Sequence, residues 1–108
     1  MSGSGPREES DLNHADLQKA LASPHPAERA SAIARARFDP VAEQAVIEAL
    51  HDADPAVRRA CIRTLARWRG PPGIKALVQA SASDPSPSVR AEAVAALGDI
   101  LAGERNDT

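Results

Sequence analysis

One segment occurs three times in the chain, as HPAERASAIARA (25–36), DPAVRRACIRTL (54–65) and SPSVRAEAVAAL (86–97). Each version places a proline second, an arginine fifth and small or apolar residues eighth, ninth and twelfth. Proline suits the first position of a helix, where its missing N–H removes no hydrogen bond. Asp54 and Ser86 are of the types that cap helix N-termini. Each version therefore predicts the start of a helix with one apolar side.

A second helix is predicted before each of these segments. Apolar residues recur at helical spacing over about 11–22, 40–51 and 72–81. Pro40 and the breaker Gly70-Pro71-Pro72 mark the starts of the later two. A single helix pair cannot bury its own apolar face, so the pairs must stack on one another. The sequence predicts an all-α fold of three stacked helix pairs with no strand.

The helix pairs form one domain between two polar ends. The three repeats run over about 11–38, 39–69 and 70–102. Residues 1–10 and 103–108 are polar and poor in apolar side chains, so they cannot bury enough surface to offset the entropy lost on ordering. We predict a disordered leader and a disordered tail there.

Composition excludes several classes of protein. The net charge is -2, which gives the whole molecule no strong electrostatic preference for nucleic acid or a membrane surface. No apolar run approaches the roughly 18 residues of a membrane span, and the N-terminal residues lack the apolar core of a signal peptide. Cys61 is the single cysteine, so an internal disulfide is impossible and a small buried thiol is expected. We predict a cytoplasmic protein.

The turns that precede the second and third segments resemble a known repeat. The stretches LHDADPAVRRACIRTLARW and SASDPSPSVRAEAVAALGDI are similar to HEAT repeats, in particular the short HEAT-like type first described in phycobilisome bilin lyases. The shared features are an Asp-x-x-Pro-x-Val-Arg turn and the alanine and leucine pattern of the helix after it. The resemblance covers about 11–102 and is degenerate in the first repeat, where Ser23 replaces the turn aspartate and Glu28 the valine.

This resemblance implies an architecture and a role. The fold would be an α/α superhelix, a right-handed solenoid, in which the second helix of each pair lines the concave face. The turn aspartate and helix arginine of successive repeats would form an internal polar ladder that Ser23 breaks at its N-terminal end. Such repeats usually bind proteins. The ladder positions are Asp52 with Arg58, and Asp84 with Arg90.

Three arginines form the candidate binding site. Arg59, Arg63 and Arg67 are spaced i, i+4 and i+8, and therefore lie on one side of the second repeat's inner helix, away from its apolar side. Guanidinium groups bind carboxylates and phosphates through paired hydrogen bonds, although an ordinary solvated helix face would have the same pattern. The positions aligned with Arg59 and Arg63 in the neighbouring repeats carry alanine, namely Ala30, Ala34, Ala91 and Ala95, and Arg37 is aligned with the adjacent Ala66.

The leading hypothesis is a non-catalytic interaction or scaffold module that binds a peptide or helix with acidic groups on the concave face. No catalytic motif is present, and His14, His25 and His51 are scattered, so no enzyme activity, metal site or cofactor is predicted. One alternative is a bilin-lyase-like or chaperone role on a chromophore protein. The other is weak nucleic-acid binding, for which the basic area is narrow.

Overall fold

The computed structural model describes residues 11–106, with side chains described through 103, and this range contains six helices. The helices are α1 His14–Leu21, α2 Pro26–Arg35, α3 Pro40–Ala49, α4 Pro55–Trp68, α5 Pro71–Ser83 and α6 Pro87–Asn106. Over the same range the backbone forms no strand, and one isolated parallel bridge joins Leu12 to Ala36. The all-α prediction is confirmed.

The two ends differ from the predicted boundaries in one respect. Helix α6 continues to Asn106, so the prediction of a disordered tail is wrong for residues 103–106. The predicted leader, residues 1–10, and the last two residues lie outside the described part of the chain.

The helices stack in two layers. Helices α1, α3 and α5 form one layer, each contacting the next, and α2, α4 and α6 form the other. Within each repeat the first helix packs on the second, so α1 packs on α2, α3 on α4 and α5 on α6. This is a helical solenoid in which every repeat buries its apolar side against its neighbours.

Local sequence sets where the helices begin. Helices α2 to α6 all begin at a proline, which is pre-organised for the first helical position. Asp39 and Asp54 act as N-caps, with their carboxylates accepting hydrogen bonds from the N–H groups of Ala42 at 2.7 Å and Ala56 at 2.8 Å. At the other end of α4, Arg69 adopts a left-handed conformation with φ of 60° and stops the helix.

The core consists mainly of aliphatic side chains. Ile33, Ile62 and Leu65 from the repeated segment are completely buried. Cys61 is buried among them, and burial raises the pKa of its thiol to about 12. The prediction of a small buried thiol is confirmed.

One acidic residue of the outer layer is also buried. Glu43 of α3 packs beside Gly70 and Gly73 at the start of α5, and a Cβ atom at Gly70 would overlap its carboxylate. Its Oε2 atom has no hydrogen-bond partner among the described residues. The adjacent N-terminus of α5 carries partial positive charge, which favours a carboxylate at this position. The glycines thus make room for a charged contact between repeats two and three.

Candidate protein-binding face

The arginine stripe, defined as Arg59, Arg63 and Arg67, lies on α4 and reaches toward both neighbouring inner helices. Arg59 donates from Nη1 to Ser88 Oγ on α6 at 3.3 Å. Arg63 donates from Nε to Glu92 Oε2, also on α6, at 2.6 Å. Arg67 turns the other way and donates from Nη2 to the backbone oxygen of Ala34 on α2 at 3.3 Å. The stripe therefore bridges all three inner helices.

These bridges are exposed to solvent and can be exchanged. The Arg63 side chain is 65% exposed even though it pairs with Glu92. Exposed ion pairs contribute about 0 to 1 kcal/mol, because water screens the charges and ordering two long side chains costs entropy. A carboxylate from a partner can therefore replace Glu92 at small cost to the fold.

A cavity of about 380 Å³ lies beside the stripe, between α4 and α6. Arg63 and Arg67 line one side of it, and Glu92, Ala95 and Asp99 line the other. Its floor contains the apolar side chains of Ile62 and Ile100. The cavity thus combines a shallow apolar surface with charged groups of both signs, which suits a peptide or a helix edge.

The polar ladder lies between repeats, and its pairing is different from the within-repeat pairs that the sequence suggested. Arg58 donates from Nε and Nη2 to the two carboxylate oxygens of Asp84, at 2.9 and 3.3 Å. Arg29 binds Asp52 in the same way, at 2.8 and 3.0 Å. Each arginine thus binds the turn aspartate of the following repeat. Toward its own turn it donates from Nη1 to a backbone oxygen, that of Asp52 for Arg58 and that of Asp84 for Arg90, at 2.8 and 2.7 Å.

The first repeat takes part in this ladder. Arg29 donates from Nη1 to the backbone oxygen of Ser23 at 2.8 Å. Arg58 and Arg90 make the equivalent contact with their own turns. A serine suffices at this turn, because its hydroxyl accepts a hydrogen bond from the N–H of His25 at 3.1 Å, as the turn aspartates do from Asp54 and Ser86. No earlier arginine among the described residues requires a carboxylate there. The ladder begins at Arg29, a residue that the sequence alignment matched to Arg58 but did not include in the ladder.

Comparison with known protein families agrees with this geometry. A sequence model of HEAT repeats matches residues 43–107, which is more than half of the chain. The chain belongs to the HEAT-repeat family. No curated protein matches the sequence. HEAT repeats generally mediate protein–protein interaction or scaffolding, and the family typically has no enzymatic activity. Among the described helices, none is both long and apolar enough to cross a membrane.

The match begins at Glu43, so it does not include the first repeat, which is supported by the alignment of residues 25–36 and by the structure. Helices α1 and α2 pack on each other and on the second repeat as the later pairs do. Arg29 also joins it to the second repeat through Asp52. The degenerate turn at Ser23 explains why sequence comparison does not detect it.

The HEAT architecture brings most of the predicted site residues to one face. Ala34 and Ala95 lie directly beside the stripe. The backbone oxygen of Ala34 accepts the hydrogen bond from Arg67, and Ala95 lines the same cavity as Arg63 and Arg67. Ala30 and Ala91 lie one turn earlier on α2 and α6, on the same side of each helix. Arg37 follows the end of α2, in the connection, where its backbone N–H donates to Leu12 O at 2.7 Å. It is therefore not part of the inner helix itself.

Two acidic residues lie on this face, of which Asp99 is aligned with Arg67 and Glu92 was not predicted. Glu92 and Asp99 both line the cavity beside the stripe. The contacts of Arg59 with Ser88 and of Arg63 with Glu92 both span 29 positions, slightly fewer than the 32 that separate Asp52 from Asp84. A search for acidic residues 29 positions after each arginine of the stripe would have found Glu92, which follows Arg63 at that distance.

The two aromatic residues meet at the end of the same helix. Phe38 and Trp68 pack edge to face, with ring centroids 5.3 Å apart and an angle of 72° between the planes. The ring partner of Trp68 thus comes from the connection after α2. Phe38 remains half exposed. An apolar ring is therefore available next to Arg67 at the end of α4.

Proposed function

We propose that this HEAT-repeat chain is a non-catalytic binding module that holds a peptide or helix carrying acidic groups on the face formed by α2, α4 and α6. The observation that supports this most is the exposed arginine stripe beside a cavity with an apolar floor. In the repeat resemblance this face is the concave one, where an elongated partner gains the most contact.

The flanking residues favour close approach. Ala34, Ala91 and Ala95 are exposed and project no further than a methyl group from α2 and α6. A partner helix can therefore come near enough to remove water from the guanidinium groups, which strengthens their hydrogen bonds to carboxylates. Arginine is also among the residues that contribute most at protein interfaces.

The acidic residues of the face add specificity. A partner carboxylate that binds Arg63 must displace Glu92, while Asp99 repels acidic groups near the cavity end. A partner with acidic groups opposite Arg59 and Arg67 and a neutral or basic group opposite Asp99 fits best. Uniformly charged polyanions such as nucleic acid fit less well.

The test compares binding before and after charge reversal. Arg59→Glu/Arg63→Glu is expected to weaken the complex with a partner isolated from the source cells more than tenfold, about 1.4 kcal/mol or more. The matched control is Lys19→Glu/Lys75→Glu, which makes the same charge change at exposed positions of α1 and α5. This control is expected to bind as the unmodified chain does. Circular dichroism melts establish that both variants are folded.

Chemical-shift mapping with the same partner locates the surface directly. We expect the alanine methyl signals of Ala30, Ala34, Ala91 and Ala95 to shift on binding. Shifts confined to α1, α3 and α5, or equal loss of binding in the two double variants, would show that the arginine stripe is an ordinary solvated face. Equal binding of random duplex DNA would favour the nucleic-acid alternative.

A further inference from the structure

The outer edge of the third repeat has the features of an interface between repeats, but no described residue covers it. Val94 occupies the position of Ile33 and Ile62 in the repeated segment. Both isoleucines are completely buried, whereas Val94 is 58% exposed. Ile62 faces residues of the next repeat, such as Ala96 and Ile100, across the cavity between α4 and α6, whereas no following repeat faces Val94 among the described residues.

The same comparison holds for the adjacent positions. Leu65 is covered by α5 near Gly73, and its equivalent Leu97 is only partly buried. Ile47 is half buried against α5, while its equivalent Val78 is more than half exposed. On α6 the edge continues at helical spacing, as Arg90, Val94, Leu97 and Leu101. This edge, which we define as Val78, Arg90, Val94, Leu97 and Leu101, is a continuous apolar strip with one cation.

Arg90 indicates that the strip lacks an acidic partner. Like Arg29 and Arg58, it is anchored through Nη1 to the backbone oxygen of its own turn, at 2.7 Å. In the two earlier repeats this anchoring presents Nε and Nη2 to the turn aspartate of the following repeat. For Arg90 those two donors have no acceptor among the side chains that the structure describes, which extend to residue 103. The side chain is held in position for a carboxylate that the described structure does not supply.

We propose that this edge is a second docking surface, which receives a helical hairpin with a carboxylate in its turn from a partner protein. The apolar strip would cover the inner sides of the two helices, and the turn carboxylate would accept paired hydrogen bonds from Arg90 Nε and Nη2. The template is the packing of repeat three on repeat two in this same chain, including the Arg58–Asp84 pair. The surface is separate from the arginine stripe and needs none of its residues.

A second copy of the chain fits this edge less well. The first repeat, which would have to dock, has Ser23 at the turn position where the later repeats have Asp52 and Asp84. It also has Glu28 where they have Val57 and Val89, which are completely buried in the structure. An acidic side chain at that position cannot replace the buried valine against the apolar strip. The occupant is therefore a hairpin whose turn carries the acid and whose inner face is apolar.

The direct test uses the chain's own third hairpin as the probe. A peptide of residues 69–100 is titrated into the full chain carrying methyl labels, beside the same peptide with Asp84→Asn. We expect saturable shifts at Val78, Val94, Leu97 and Leu101, and about tenfold weaker binding of the Asn peptide. In the full chain, Val94→Asp is expected to abolish binding. The matched control Val41→Asp, at another exposed valine on α3, is expected to leave it unchanged.

A covalent version keeps the test decisive if the free peptide does not fold. Residues 69–100 are duplicated after Ile100, which places a new turn aspartate within reach of Arg90. We expect a higher urea midpoint than that of the original chain, and loss of part of the gain when the added copy carries Asp84→Asn. An unchanged midpoint, or an equal gain for both versions, would overturn the proposal. So would a dimer of the unmodified chain, measured by sedimentation, that Val94→Asp dissociates.

The outcome is independent of the concave-face proposal. The Arg59→Glu/Arg63→Glu chain is expected to bind the hairpin peptide with unchanged affinity, because neither residue belongs to the edge. If this variant lost peptide binding while Val94→Asp kept it, the edge proposal would fail and the peptide would be a ligand of the arginine stripe.

Discussion

Arg58 and Arg59 are neighbours in sequence with the same side chain, yet they belong to two regions with opposite properties. Arg58 belongs to the ladder, and its side chain is 9% exposed while that of its partner Asp84 is 3% exposed. Arg59 belongs to the stripe and reaches only an exposed serine hydroxyl at 3.3 Å. Both side chains cross from repeat two to repeat three. Successive residues are rotated by about 100° around the helix, so Arg58 points into the core and Arg59 points toward solvent. This difference in burial makes Arg58 a structural residue and leaves Arg59 available to a partner.

The largest effect is expected from removing the buried carboxylate of the ladder. Asp84→Ala would leave the Arg58 guanidinium buried without its charged acceptor, and breaking a buried pair in this way costs about 3 kcal/mol or more. Urea unfolding measures the loss. Asp99→Ala, at an exposed acidic residue of α6, is the control and is expected to change the free energy of unfolding by less than about 0.5 kcal/mol.

The buried thiol supplies a second measurement of the same change. Cys61 is inaccessible in the folded chain, so it reacts with a thiol reagent only when the structure opens. We expect faster labelling of Cys61 in Asp84→Ala than in Asp99→Ala under the same native conditions. If Asp99→Ala were the more damaging variant in both measurements, the assignment of Asp84 to the ladder would be wrong.

A smaller loss of stability is expected when the other ladder pair, Arg29 with Asp52, is broken. The side chains of Arg29 and Asp52 are 15% and 13% exposed, so water compensates part of the lost contact. Asp52→Ala is expected to lower the free energy of unfolding by about 1 kcal/mol, near the lower limit for losing the partner of a buried donor. Thermal melts of the two alanine variants test the order, and a lower midpoint for Asp52→Ala than for Asp84→Ala would reverse it.

Low pH is expected to weaken the Arg29–Asp52 pair further. The Arg29 guanidinium, aided by the N–H of Asp54, holds the pKa of Asp52 below its ordinary value. The N–H of Ala42 and the side chain of His14 lower the pKa of Asp39. A carboxyl with a lowered folded-state pKa stabilises the fold fully above its unfolded pKa, about 3.9. That contribution is lost as the pH falls through the lower folded value.

Urea titrations at pH 7, 4 and 3 measure this dependence. We expect the free energy of unfolding of the unmodified chain to fall across that range, and that of Asp52→Asn to fall less. Identical pH dependence in both chains would show that the Arg29–Asp52 pair does not contribute to acid stability.

The smallest effect on stability is expected from the stripe itself. Arg63→Ala is expected to change the free energy of unfolding by less than about 0.5 kcal/mol, despite the 2.6 Å contact with Glu92, because the pair is exposed. A double-mutant cycle with Glu92→Ala measures the coupling between the two residues. A coupling as large as the loss in Asp84→Ala would place Arg63 with the ladder and remove it from the candidate binding face.

The sequence predicted the repeated features of the fold and missed the features that depend on neighbours. The prolines, the N-cap Asp54 and the helical spacing of apolar residues are local signals, and all six helices were predicted from them. The alignment also matched Val94 to the buried Ile33 and Ile62, but it could not show that Val94 is exposed. A position in a repeat identifies the direction in which a side chain points, whereas its burial depends on which neighbouring elements cover it.

In the candidate site, too, the sequence predicted the local features and missed those that depend on neighbouring helices. The spacing of Arg59, Arg63 and Arg67 predicted their common face from helix geometry alone. Their partners Ser88, Glu92 and the Ala34 carbonyl lie on other helices, so periodicity within one helix could not identify them. The ladder pairing was missed for the same reason, because the aspartate that each arginine binds belongs to the following repeat.

The turn aspartates have a consequence for how the chain folds. Asp84 Oδ1 accepts a hydrogen bond from the N–H of Ser86 at 2.9 Å, which shapes its own turn, and the same carboxylate binds Arg58 of the repeat before. Asp52 does both for Asp54 and Arg29. A turn that closes therefore presents its carboxylate to the preceding repeat, and a preceding repeat that is in place stabilises the closed turn. Local and long-range ordering are thereby linked, which raises the coupling between adjacent units of a linear array and favours cooperative unfolding of the array over the separate opening of single repeats.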